Sequence, residues 1–87
     1  MSFVYEFSKR ARVKFRQLDF WLQEESLDEL ELLVAGPPPS TARARTGFVL
    51  DVVRVRRVST YYVFLTIKTN VSARRFRVVD VGVFVRQ

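Results

Sequence analysis

The chain changes its hydrophobic period once, and Gly36-Pro37-Pro38-Pro39 marks the change. Before that point apolar residues recur as on a helix: Ala11, Phe15, Leu18 and Leu22 follow at spacings of four, three and four. After it they alternate by twos, as in Tyr61, Val63, Leu65 and Ile67. A run of three prolines cannot continue a helix, so the two halves fold by different rules. Helical elements come first and strands after them, which is the pattern of an α+β domain.

The first half opens with a short strand over 2–7, where Phe3, Tyr5 and Phe7 share one side. Ser8 is placed to cap a helix, and Ser26 with Glu29 has capping-box spacing before a stripe of Leu27, Leu30 and Val34, with Leu33 beside it. Residues 23–25 read equally as a break or as a bend in one long helix. Gly36 suits a left-handed helix cap, and residues 37–47 read as a loop. A Val-rich strand over 48–58 shifts phase near Asp51, the pattern of a bulge. A second strand follows from residue 60, and residues 69–73 turn the chain. A third strand over 75–85 carries Val79, Val81, Val83 and Val85 on one face, with Gly82 inside it.

The expected order is β-α-α-β-β-β, an antiparallel sheet with two N-terminal helices packed on one face. Residues 1–87 are read as a single domain. Phe3, Tyr5, Phe7, Phe15, Leu18, Leu30, Val34, Val63, Leu65 and Val81 are expected to form its core. A core this small gains from association, so a homodimer or a stabilising partner is among the expectations.

Charge is segregated along the chain. Lys9, Arg10, Arg12, Lys14 and Arg16 form a basic block, and Asp19, Glu24, Glu25, Asp28, Glu29 and Glu31 form an acidic one. Beyond Gly36 ten bases face only Asp51 and Asp80, and the whole chain carries a formal charge of +6. Such asymmetry points to an anionic partner.

The chain has neither Cys nor His, which excludes disulfides, thiol chemistry, Cys/His metal centres and any catalytic His. The acidic block spreads over a helix face and reads as solvated surface rather than a metal site. No catalytic residue, metal or cofactor is assigned. No apolar run reaches a membrane span and no secretory leader is read at the start, so a cytoplasmic protein without membrane contact is expected.

Arg54, Arg56 and Arg57, with Arg75 and Arg77, are the main binding candidates. Alternation on adjacent strands would bring Arg54/Arg56 and Arg75/Arg77 to one face, where guanidinium forks suit phosphate. The same residues read equally as a solvated sheet face. Arg43 and Arg45 lie in the loop before the strands. Tyr61 and Tyr62 point to opposite faces, so Tyr62 is the one that stacks among the arginines if Tyr61 is core.

These segments, in this order, resemble the RelE/ParE superfamily of toxin–antitoxin toxins. Tyr5–Asp19 looks like that family's first strand and basic helix, and Leu27–Pro39 like its second helix and Gly/Pro-rich loop. Arg54–Ile67 resembles its central hairpin, and Arg75–Gly82 its last strand, which closes on Val-Gly. The resemblance implies an antitoxin-like partner, a target that is a nucleic-acid machine (gyrase or ribosome), and basic residues, Arg43 and Arg45 among them, that face it. RNA-cleaving members follow Val-Gly with polar groups. Here Val83, Phe84 and Val85 follow Gly82, closer to the ParE type, known as poisons of DNA gyrase. Efficient nuclease activity is therefore not expected. The alternative is a non-enzymatic nucleic-acid-binding or viral or ribosome-associated accessory protein.

Overall fold

The computed structural model describes residues 3–86. Strand β1 (Val4–Phe7) leads into helices α1 (Lys9–Arg16), α2 (Phe20–Ala35) and α3 (Pro39–Arg43). Strands β2 (Phe48–Arg54), β3 (Tyr61–Asn70) and β4 (Arg75–Val85) complete the fold.

The three later strands pair antiparallel in succession, as short hairpin connections require. The sheet as a whole is mixed. Its order is β1-β4-β3-β2, and β1 lies parallel to β4, with Val4 opposite Arg75 and Phe7 opposite Val78. The expectation of an antiparallel sheet is corrected on this point. A strand's alternation shows which side is buried but not which strand it joins, and here α1 and α2 carry the chain from one sheet edge to the other.

Ser8 caps α1, its hydroxyl accepting the Ala11 N–H at 3.1 Å. The two helices separate at residues 17–19 rather than at 23–25. The Gln23 amide then donates to the Leu18 carbonyl at 2.8 Å, meeting an acceptor left open at the end of α1. Ser26 lies inside α2 and caps nothing; its hydroxyl donates back to the Leu22 carbonyl at 2.7 Å. Gly36 ends α2 with φ −143°, so the left-handed cap read at this position does not form.

The segment read as a loop holds α3, with Pro39 in its first turn, where the missing N–H costs nothing. Buried Thr41 and neighbouring Ser40 both donate to the Asp51 carboxylate of β2. Asp51 therefore marks no bulge: β2 runs in unbroken register from Phe48 opposite Asn70 to Arg54 opposite Phe64. The irregularity lies in β4. Thr66 faces Asp80 and Ile67 faces Val78, which leaves Val79 as the extra residue. Phe76 and Val78 are buried before it and Val81 after it, while Val83 and Val85 are exposed, so the valines read as one face do not share one degree of burial.

Leu22, Leu30 and Leu33 of α2 join Val63, Leu65, Ile67, Phe76, Val78 and Val81 in the core. Phe3, Tyr5, Phe7, Phe15, Leu18 and Val34 pack against it partly buried. Phe3 stacks on Phe76 at 4.8 Å between ring centres, and Phe7 meets Phe15 at the same separation. The expected core is present, with its aromatic members at the rim. No helix among the described residues is long and apolar enough to cross a membrane.

Candidate functional site

The helices cover one face of the sheet, and the other is open. Register places Phe48, Leu50, Val52 and Arg54 of β2 on the open face, beside Tyr62, Phe64, Thr66, Lys68 and Asn70 of β3. Arg75, Arg77, Asp80, Gly82 and Phe84 of β4 continue it. Val4 and Glu6 of β1 close the far side. Residues 48–53 are apolar except for Asp51, so both faces of β2 read as candidate core. Phe48, Leu50 and Val52 are in fact about two-thirds exposed (65%, 66% and 65%), and this is the feature that sequence reasoning missed. The signal that separates the faces is Asp51, held by α3 on the covered side.

The open face has two ends. At one, Lys68, Arg75 and Arg77 surround a shallow hollow of about 290 Å³ with Glu6, Phe48 and Asn70. The Lys68 ammonium lies 4.7 Å from the centre of the Phe48 ring, and Arg75 approaches Glu6 at 3.7 Å. Positive charge exceeds negative here, so this end suits an anion. At the other end Val52, Phe64, Thr66, Asp80, Gly82 and Phe84 line a hollow of about 330 Å³. Phe64 meets Phe84 edge-on at 5.8 Å and Tyr62 at 6.3 Å. Gly82 makes room for the Phe84 ring: a β-carbon at 82 would stand 3.2 Å from it.

The arginine candidates do not form one patch. Arg54 stands level with Phe64, whereas Arg77 stands level with Lys68. At about 3.3 Å per residue these positions lie roughly 13 Å apart along the sheet, with β3 between them. Arg56 is past the end of β2 and turns to α2, where it binds Glu29 through its backbone N–H at 3.0 Å and its guanidinium at 3.1 Å. Arg57 approaches Asp28 of α2 at 3.8 Å. The loop arginines thus answer the acidic helix and do not extend the sheet face, and buried Glu29 does not belong to a solvated surface.

Arg43 ends α3 and is exposed. Arg45 borders a separate hollow of about 310 Å³ with Phe3, Thr41 and Arg74. Tyr62 lies on the open face as expected, but its ring neighbour is Phe64 rather than an arginine. Tyr61 packs against the core.

Asp80 is held below the usual carboxylate range, chiefly by the Lys14 ammonium donating to it at 2.7 Å. Tyr5 is pushed up, first by burial and then by the nearby Glu31 carboxylate. Both shifts lead away from neutrality, opposite to what a proton donor or acceptor near pH 7 requires. No group of three or more acidic side chains among the described residues is gathered as a metal site.

A four-stranded mixed sheet with helices on one face and an open, half-basic and half-aromatic second face defines the fold class. It is similar to a chain in the crystal structure of the intact E. coli RelBE toxin–antitoxin complex, with a TM-score of 0.66 over 100% of both chains at 18% sequence identity. The likeness is one of fold and agrees with the RelE-like resemblance of the sequence. No protein-family model and no curated protein matches the chain.

Proposed function

We propose that this chain is the toxin-like member of a toxin–antitoxin pair. It acts by binding a nucleic-acid machine, gyrase or ribosome, without cutting nucleic acid efficiently. The observation that carries the reading is the open sheet face. Lys68, Arg75 and Arg77 offer charge to phosphate at one end, while Phe64, Phe84 and Val52 offer an apolar seat at the other. A protein partner suits the second end better than a scissile phosphate does. The full-length likeness to a chain of the RelBE complex supports an antitoxin-like partner. With no His or Cys in the chain, proton transfer near neutral pH lacks an obvious carrier, which supports binding over cleavage.

The test is inducible expression in bacteria, following growth, plasmid supercoiling and mRNA integrity together. Growth arrest with trapped gyrase complexes or stalled ribosomes, and intact mRNA, is the expected result. Codon-positioned mRNA cuts that vanish on Arg77→Ala would reverse it. The exposed aromatic set of Tyr62, Phe64 and Phe84 also favours a second reading, a non-enzymatic module that stacks nucleic-acid bases. Normal growth together with tight single-strand binding would select that one.

A further inference from the structure

The sheet ends on one side at β2, which pairs only with β3 among the described residues. In the β2–β3 ladder the Val55 N–H donates to the Val63 carbonyl, and the Val71 N–H to the Gly47 carbonyl. The hydrogen-bonded positions of β2 are therefore the odd ones, and Phe48, Leu50, Val52 and Arg54 aim their backbone N–H and C=O groups away from β3. These residues also bear the exposed apolar side chains. β2 contains no Pro, Gly or Lys, the residues that commonly blunt an edge strand. Its one acid, Asp51, is turned to the covered side and bound by Ser40 and Thr41.

We propose that β2 pairs antiparallel with β2 of a second copy of this chain, about a two-fold axis through Leu50, and joins two four-stranded sheets into one. The reasoning is one of register. Only even residues present free backbone groups, so hydrogen-bonded pairs must match even with even. An axis through Leu50 pairs Leu50 with its own mate and Phe48 with Val52, making about six interchain backbone hydrogen bonds. The open face then carries an uninterrupted strip of six apolar side chains, three from each copy. On the covered side Val49 stands opposite Asp51. An axis through Asp51 would set two carboxylates directly opposite, and an axis through Val52 would set Arg54 against Leu50; both are poorer matches. An axis through Val49 would set Val52 against Thr46, outside β2, so the axis through Leu50 is the register that pairs all three exposed apolar residues with one another, as an isologous contact demands.

A single strand pair is narrower than the roughly 800 Å² per partner of a stable interface. Association is therefore weak and concentration-dependent, and the range in which to seek it is about 10 µM to 1 mM.

Sedimentation velocity over that range tests it. The expected result is a shift from one chain mass to twice that mass, abolished by Leu50→Lys, which places two ammonium groups side by side. Leu50 is exposed, so circular dichroism and the melting temperature should match those of the parent chain. Because the chain has no cysteine, Leu50→Cys supplies a clean second measurement. Paired residues on this register lie about 5.5 Å apart, within disulfide reach. Mild oxidation should convert Leu50→Cys to a covalent dimer and leave Thr66→Cys, one strand further in, monomeric. A chain that stays monomeric at 1 mM, a dimer that survives Leu50→Lys, or faster crosslinking of Phe84→Cys, which would mean packing face to face, overturns the proposal.

Discussion

The Glu29 carboxylate, 3% exposed, accepts both the backbone N–H and the guanidinium of Arg56, and so fastens the β2–β3 loop to α2. The Arg56 side chain is 68% exposed, so the bond is asymmetric: the buried acid depends on it more than the arginine does. Glu29→Ala leaves a loop N–H without its acceptor and should cost about 2 kcal/mol. Arg56→Ala keeps the backbone bond but leaves the buried Glu29 carboxylate without its counter-charge, so about 3 kcal/mol is expected. Urea denaturation of the two variants checks the order, and a Glu29→Ala loss larger than that of Arg56→Ala would contradict it.

Lys14 and Asp80 predict a pH dependence. Lys14 lowers the Asp80 pKa in the folded chain relative to the unfolded one. The contribution of the pair is therefore complete above about pH 4, the ordinary carboxylate range, and is lost as pH falls through the lower folded value. Asp80→Asn should flatten the acid limb of the stability curve and leave its shape near pH 7 unchanged. Thermal unfolding at pH 7, 4 and 2.5 makes the comparison.

Nucleic-acid binding, where it occurs, should depend on the basic end of the open face. Each phosphate contact contributes about 0.9 to the slope of log affinity against log salt on duplex DNA. Arg77→Gln should lower that slope by about one, and Lys68→Gln and Arg75→Gln should act in the same direction. Arg56→Gln should change it less, because Arg56 is engaged by Glu29. Equal effects from Arg56 and Arg77 would move the binding surface to the loop.

Phe76 is fully buried and stacked on Phe3. Phe76→Ala should cost roughly 3–5 kcal/mol and leave the chain largely unfolded at 37 °C. Phe84→Ala, on the open face, should leave the melting temperature within a few degrees. A similar loss from both would mean that the open face is not free.

The order of elements was legible because the period of the apolar residues changes where the elements change. Ser8 and the alternation of Tyr61–Ile67 need no tertiary information. What the sequence hides depends on contacts between segments that are separate in the chain. Asp51 breaks an apolar pattern and so resembles a bulge, until Ser40 and Thr41 give it a partner. The extra residue at Val79 is hidden in a run of similar residues, because Val78, Val79 and Val81 look alike whichever side they face. The arginines of residues 54–57 look like one strand's worth of charge. The acids that divert Arg56 and Arg57 lie a whole helix earlier in the chain. The basic end of the open face is half legible: Arg75 and Arg77 stand in an arginine-rich stretch, whereas Lys68 is a single base in an alternating apolar strand.

Val4 lies opposite Arg75 in parallel register, so the first strand closes against one that is made about seventy residues later. During synthesis β1, α1 and α2 emerge long before the surface that Phe3 and Phe7 cover exists. Phe76, against which Phe3 stacks, is among the last core residues to leave the ribosome. Folding of this domain therefore waits for β4, and it is slow to nucleate because its sheet is sealed by a pairing of large sequence separation. A nascent chain halted before β4 has no sheet face to present, basic or aromatic. Whatever this molecule binds, it acquires the means to do so only once β4 has been made.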